Sequence, residues 1–236
     1  MVLKNINYGG DNIKVVILAA GFGSRLGENI PKAIVKINED MTILDLQLEN
    51  LKQIIELDDV TVVVGYKKDI IQKKYPFLSY IDNENYSTTN TSKSLLLALE
   101  EMNDYDVLWI NGDVVFDADI LRLIQQNKSK NLICVNKYQV SEEEVKYTVD
   151  NEGYIKNLSK SVEGVGEAVG INFIKKEDIK ILISCLKECN NNDYFEKGIE
   201  FAMKKGIKFW PLDIENNYCV EIDFQEDLKM VRNRIL

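Results

Sequence analysis

The residues in this chain best suited to chemistry are cations and carboxylates set close to glycines, with no histidine anywhere in the sequence. An apolar run over residues 14–20 passes straight into Gly21-Phe-Gly-Ser-Arg-Leu-Gly27, and Pro31-Lys32 comes next. Glycines at the C-terminal end of a strand let backbone N–H groups approach an anion closely, so this loop reads as a phosphate cradle. Arg25 supplies a fork of donors and Lys32 a compact charge, which together with the amides suffice to neutralise a triphosphate. Two common phosphate loops fail on spacing. The dinucleotide fingerprint needs a third glycine where Leu26 stands and an acidic residue where Gly65-Tyr66 stands. The P-loop needs a Gly-Lys-Ser/Thr triplet, which follows none of Gly21, Gly23 or Gly27. A plain tight turn with solvated Arg25 and Lys32 is the competing reading.

Carboxylates supply the second half of a site. The apolar run 107–111 ends in Gly112-Asp113, which puts Asp113 at the sheet edge where the glycine loop emerges. Much later, Cys219-Val-Glu-Ile-Asp223 alternates as a strand does, so Glu221 and Asp223 share one face. If that strand ends beside Asp113, two carboxylates hold one hard cation, such as Mg2+, that bridges phosphates. Taken singly, Gly112-Asp113 also fits a turn with a helix cap, and Glu221 and Asp223 a solvated strand face. Without histidine, proton transfer falls to carboxylates, lysines or a metal, unless the nucleophile arrives already ionised.

The elements that must position these residues emerge from periodicity. Strand-length apolar runs at 14–20, 60–65, 107–111 and 131–136 alternate with helical stretches at 44–57, 68–75, 92–102 and 118–127. Short connections between such elements predict an α/β fold, a mostly parallel Rossmann-like sheet with helices on both faces. After residue 137 the pattern changes: 146–149 and 154–158 flank Asp150-Asn-Glu-Gly153 as a hairpin would, predicting a small antiparallel β subregion. Helices return at 176–189 and 193–204, then a strand at 207–212 and a helix from 225 to the end. The expected organisation is an N-terminal extension (1–12) and a single domain (13–236) with an insert at about 137–175. A length of 236 residues, 45% hydrophobic and 28% charged, allows that domain a sizeable core.

The stretch Leu18-Ala-Ala-Gly-Phe-Gly-Ser-Arg-Leu26 followed by Pro31-Lys32 resembles the signature of the nucleotidyltransferase family of sugar-phosphate pyrophosphorylases and bacterial CTP:phosphocholine cytidylyltransferases. The resemblance implies a GT-A-like fold and Mg2+ as cofactor. It implies that Leu18, Ala19, Ala20, Gly21, Gly23, Ser24 and Arg25 bind nucleotide, that Arg25 and Lys32 act on the phosphates, and that Gly112 adjoins them. Gly112-Asp113 and Val220-Glu-Ile-Asp223 match the segments that supply the two metal-binding aspartates, Asp113 and Asp223, in preference to Glu221. Asn85-Tyr-Ser-Thr-Thr-Asn-Thr-Ser-Lys-Ser94 departs from the hexose-phosphate pattern and looks like the short cytidylyltransferases. Asn90, Thr91 and Ser94, with Asn85, offer the mixed donors and acceptors that a pyrimidine edge needs, or else cap the adjoining helix.

Residues around 158–171 look like the family's acceptor region. Lys160 is placed to meet an acceptor phosphate and Glu167 to attract an amine; a surface lysine and a solvated glutamate are the competing view. The implied reaction transfers CMP from CTP to a small phosphocholine-like phosphate, with pyrophosphate released, in the service of cell-surface or capsule decoration. A sugar-1-phosphate nucleotidylyltransferase and a non-catalytic nucleotide-binding regulatory domain are the alternatives. A net charge of −9 argues against nucleic acid or anionic membrane as partners. No signal-peptide core or membrane-length run stands in the sequence, and the four scattered cysteines read as reduced packing thiols, which together point to the cytoplasm.

Overall fold

The computed structural model describes residues 13–27, 29–138 and 144–235, so the expected N-terminal extension lies outside the described residues. Its frame is a sheet whose central strand, β1 (Ile13–Ala19), pairs in parallel with β2 (Val60–Val64) on one side and β4 (Asp106–Asn111) on the other. Beyond β2 comes β3 (Ser79–Asp82). Beyond β4 comes β9 (Glu167–Ile174), then β6 (Asn131–Asn136) and β10 (Phe209–Asp213), giving the order β10-β6-β9-β4-β1-β2-β3. All of these pairings are parallel except the two made by β9.

Continuous apolar strands require cover on both faces. Val15, Ile17 and Ala19 join a core with α1 (Ile43–Leu51), α2 (Lys68–Lys74) and α4 (Asp119–Asn127). Val16, Leu18 and Ala20 face the other way, into a core with α3 (Thr91–Glu101), α5 (Lys176–Glu188) and α6 (Phe195–Lys204). This two-residue alternation makes β1 the partition between the layers. A third cluster joins Leu26 of the glycine loop to Ile37, Val115, Ile222 and, from α7 (Gln225–Ile235), Leu228 and Val231.

The expected α/β architecture is present, with three differences. The helix predicted over 44–57 stops at Leu51; Ile54, Ile55 and Leu57 then pack on the first core as the chain turns toward β2. Two short strands carried too little periodicity to be predicted: β3, and β5 (Val114–Phe116), which pairs only with β11 (Cys219–Glu221). The hairpin is there as β7 (Lys146–Val149) and β8 (Ile155–Ser159), but the chain then runs on into β9, inside the main sheet. Gly170 permits that passage, because its φ of +73° is a conformation that L side chains rarely adopt. Cys134, Cys185, Cys189 and Cys219 are free thiols, and no helix of the described residues is long and apolar enough to cross a membrane.

Helix α1 packs against β5, and its start is fixed by a capping box. Thr42 Oγ1 accepts from the Asp45 N–H at 3.2 Å while the Asp45 carboxylate accepts from the Thr42 N–H at 2.9 Å. The Thr42 hydroxyl also meets the Tyr75 hydroxyl at 2.8 Å. Thr42→Ala is expected to cost about 1 kcal/mol, a fall of roughly 2–4 °C in a thermal melt.

Candidate active site

Strand register brings the chemistry together. Leu18 of β1 lies beside Asn111 of β4, so the glycine loop and Gly112-Asp113 leave the sheet side by side. Gly112 donates its N–H to the Leu18 carbonyl at 2.9 Å, and a Cβ there would stand 2.8 Å from that same oxygen. Gly112 is therefore required by backbone packing against β1. On the far side, Glu221 pairs with Val114, and the Ile222 N–H donates to the Asp113 carbonyl at 2.9 Å. Asp223, two residues past the end of β11, is thereby delivered next to Asp113.

Both cations expected from the glycine loop stand among these carboxylates. Lys32, at the start of a short 3-10 turn (Lys32–Ile34), donates from Nζ to Asp113 Oδ2 at 2.9 Å and also to Asp223 Oδ1. Arg25 Nη1 lies 3.0 Å from Asp223 Oδ2, and its guanidinium rests over the Phe224 ring. The Lys32, Asp113 and Asp223 side chains are less than one-fifth exposed, whereas Arg25 is about half exposed. Burial pulls the Lys32 ammonium down, but the two aspartates outweigh it and hold its pKa above the ordinary lysine value. Gly23, at a φ of +61°, leaves room for that lysine, because a Cβ on it would stand 2.5 Å from Lys32 Cγ.

Glu221 completes an acidic triad. Carboxylate oxygens of Asp113, Glu221 and Asp223 lie within 4.8 Å of one another. Burial, then Asp113, Glu144 and Asp223, push the Glu221 carboxyl well above the usual range, with Lys32 opposing them. A corner with this much negative charge, all of it on hard oxygen donors and already drawing an ammonium between two of its members, fits a divalent cation of the Mg2+ type. The period-two reading placed Glu221 and Asp223 on one face, and both do reach this corner.

Next to the glycine loop is a small pocket in which Leu18, Ala20 and Gly21 face Asn83, Tyr86 and Thr89, with Asn90, Thr91 and Ser94 closing it. Three of these residues also hold the frame. Asn90 caps α3, its side chain accepting from the Thr91 N–H at 2.8 Å. Thr91 Oγ1 accepts from the Phe195 N–H at 3.1 Å, and Ser94 Oγ accepts from Asn83 Nδ2 at 3.0 Å. Ala19 turns away into the first core, Asn85 is exposed and outside the pocket lining, and the Ser24 side chain lies outside the described residues. Sequence reasoning missed Asn83, which is 3% exposed and directly follows the unpredicted strand β3, and it missed Phe22, whose ring packs 5.0 Å from Tyr66 and 5.2 Å from Tyr86.

On the opposite side, Lys160 Nζ sits 5.3 Å from the centre of the Tyr194 ring, and Glu167 is buried where β9 passes β6 and β7. Two further carboxylates share this neighbourhood. Burial first, then Glu167, raises the Glu144 carboxyl, with Lys160 opposing. Burial pushes the Glu196 carboxyl up to about 7, against the pull of its own backbone N–H and of Lys160, and its buried Oε2 has no hydrogen-bond partner.

A family model, the MobA-like NTP transferase domain, matches residues 15–168, which is more than half of the chain. The chain belongs to this family. As a MobA-like NTP transferase it is an enzyme of the nucleotidyltransferase type. A CTP:phosphoglutamine cytidylyltransferase of Campylobacter jejuni is 24% identical over 254 residues, covering 92% of this chain and 98% of that one. A CMP-5'-(3-aminopropyl)phosphonate synthase of Streptomyces rubellomurinus is 35% identical over 118 residues, 46% of this chain and 18% of that protein. Among solved structures, the CTP:phosphocholine cytidylyltransferase of Streptococcus pneumoniae has the same fold, with a TM-score of 0.74 at 21% identity over 95% of this chain and all of that one.

Removing the ammonium from this corner tests its charge balance. Lys32→Ala leaves Asp113 and Asp223 without that counter-charge, and the metal-free protein is expected to melt roughly 3–10 °C lower than wild type. Added Mn2+ should restore more of that loss in the variant than it raises the wild-type midpoint. A variant whose melting ignores the ion would show that these carboxylates do not form a cation site.

Proposed function

We propose that this MobA-like NTP transferase is a Mg2+-dependent cytidylyltransferase that transfers CMP from CTP to a small phosphorylated acceptor bearing an amine or amide. The observation that carries this reading is the meeting of Lys32 and Arg25 with Asp113 and Asp223 at the mouth of the glycine loop. It is supported by relatives named for cytidylyl transfer to phosphoglutamine and for CMP-phosphonate synthesis.

In the proposed reaction an acceptor phosphate oxygen bonds to the α-phosphorus of CTP while the bond to the β-phosphate oxygen breaks and pyrophosphate departs. A phosphate monoester is largely dianionic at neutral pH, so the protein need supply no base, which suits a chain without histidine. Catalysis is then positioning and charge neutralisation. The amides of Gly21 to Arg25 cradle the triphosphate, Arg25 forks onto its oxygens, and Lys32 passes its ammonium from the aspartates to the phosphates at the reacting centre. A Mg2+ ion held by Asp113 and Asp223, with Glu221 beside them, supplies further neutralisation and orientation of the phosphates. In the pocket, the hydroxyls of Thr91 and Ser94 each accept a bond from the protein and keep their protons to donate, matching the acceptors O2 and N3 of cytosine.

On the acceptor side, Lys160 meets the phosphate, while Glu167, Glu144 and Glu196 make the surroundings favourable to an ammonium. The test is pyrophosphate release from each nucleoside triphosphate with a panel of phosphates. CTP with an amine- or amide-bearing phosphate is the expected pair. Asp113→Asn and Asp223→Asn should each lower turnover by at least about 100-fold without unfolding the protein. Near-wild-type rates in both would remove the metal assignment.

The pH dependence arises from Glu196, which faces Lys160 and Glu144. Its folded pKa of about 7 lies above the ordinary carboxylate value, so it holds its proton in the native state where the unfolded chain has lost it. Stability therefore falls as pH rises from the unfolded value toward 7, while the negative charge that attracts an ammonium appears over the upper part of that window. The KM for an amine-bearing acceptor should fall between pH 6 and pH 8, and Glu196→Gln should flatten that profile and raise the melting midpoint at pH 8 relative to wild type.

A further inference from the structure

Gln47 is fully buried midway along α1, and its amide group reaches across to the turn that carries Asp113. Nε2 donates to the Asn111 carbonyl at 2.9 Å and to the Val114 carbonyl at 2.7 Å. These two carbonyls stand immediately before and after Gly112-Asp113, so one NH2 group uses both its protons to pin the two ends of the turn. The remaining backbone bonds of the turn run elsewhere, from Gly112 N–H to Leu18 and from Ile222 N–H to the Asp113 carbonyl. One turn further along α1, Asn50 Nδ2 makes a bond of the same kind to the Phe116 carbonyl at 2.7 Å, farther along β5 and away from Asp113.

We propose that Gln47 is a positioning residue for the metal site: by pinning the carbonyls on either side of Gly112-Asp113 it sets the direction in which the Asp113 carboxylate leaves the β4–β5 turn, and so the affinity for a divalent ion. The inference rests on Asp113 being a metal ligand. Each buried carbonyl left without its donor is costly, so a turn that loses Gln47 rotates to find other donors and carries Asp113 with it. A side chain of matching length and position but without donors removes the pin while filling the same space.

Direct binding of Mn2+, followed by the paramagnetic resonance of the free ion, tests this without turnover. Gln47→Met is expected to weaken Mn2+ binding about tenfold, the usual cost of losing a group that orients a ligand. Asn50→Leu removes a comparable buried bond from the same helix and should lower the melting midpoint while leaving Mn2+ affinity within about twofold of wild type. In an Asp113→Asn background, Gln47→Met should cause no further loss, because the two act as one unit. Should Gln47→Met not fold, Gln47→Asn, one methylene shorter and withdrawn from both carbonyls, carries the same expectations. Wild-type affinity in the Gln47 variant beside a crippled Asp113→Asn overturns the inference alone, as does an equal loss in Asn50→Leu. Wild-type affinity in Asp113→Asn removes the metal reading and this inference with it.

Discussion

Asp113, Glu221 and Asp223 reach one corner of the molecule on strand ends that cannot move apart, because β1, β4, β5 and β11 are tied by backbone bonds. Two like charges about 5 Å apart repel by roughly 3 kcal/mol at an effective dielectric of about 20, a sizeable share of a domain's net stability. Lys32 between the aspartates and Arg25 beside Asp223 offset that repulsion. The fold can hold such a corner only by keeping positive charge in it, and this requirement explains the glycine loop as much as any ligand does. Gly23 is small because Lys32 must pass over it.

The same constraint links structure to the proposed chemistry. In the proposed reaction a divalent ion would offset only part of the triphosphate's negative charge, and the remainder would draw Lys32 and Arg25 toward the phosphates. In that reaction the Lys32 ammonium would pass from carboxylates to phosphates, and Asp113 and Asp223 would then be the residues to hold a divalent cation. Little reorganisation of the backbone is required, because the turn at Asp113 is held from three sides: by β1, by β11 and by Gln47. Preorganised charge of this kind lowers a barrier most where the reaction only redistributes charge over phosphate oxygens.

The pocket beside the glycine loop and the side that carries Lys160 and Tyr194 are joined by backbone as well. The Asn90 N–H donates to the Asn191 carbonyl at 2.7 Å, the Ser92 N–H to the Asp193 carbonyl at 3.3 Å, and the Phe195 N–H to Thr91. The start of α3, which closes the pocket beside the glycine loop, is thus bonded to the start of α6, which carries Glu196 and adjoins Tyr194. Polar residues at 90–94 therefore both cap a helix and line a pocket; the capping reading is realised, and recognition of a pyrimidine belongs to the proposed function.

Local signals determined much of this protein from sequence alone. Apolar runs buried on both faces marked β1, β2, β4 and β6, alternation marked β11, and glycine spacing with Arg25 and Lys32 marked the loop that follows β1. These features are short-range: each is written in about a dozen consecutive residues or fewer, within reach of periodicity and turn chemistry. Tertiary structure alone decided that Lys32 would stand between Asp113 and Asp223, that Glu221 would join them, that Asn83 would line the pocket beside the glycine loop, and that Phe22 would pack on Tyr66 and Tyr86. Gln47 shows why. Nothing adjacent to it in the chain calls for a buried amide, and its partners, the carbonyls of Asn111 and Val114, exist as a paired target only once α1 has packed beneath the end of β4. A backbone carbonyl has no residue type, so the sequence cannot announce where one will need a donor; the packing of distant segments creates that need.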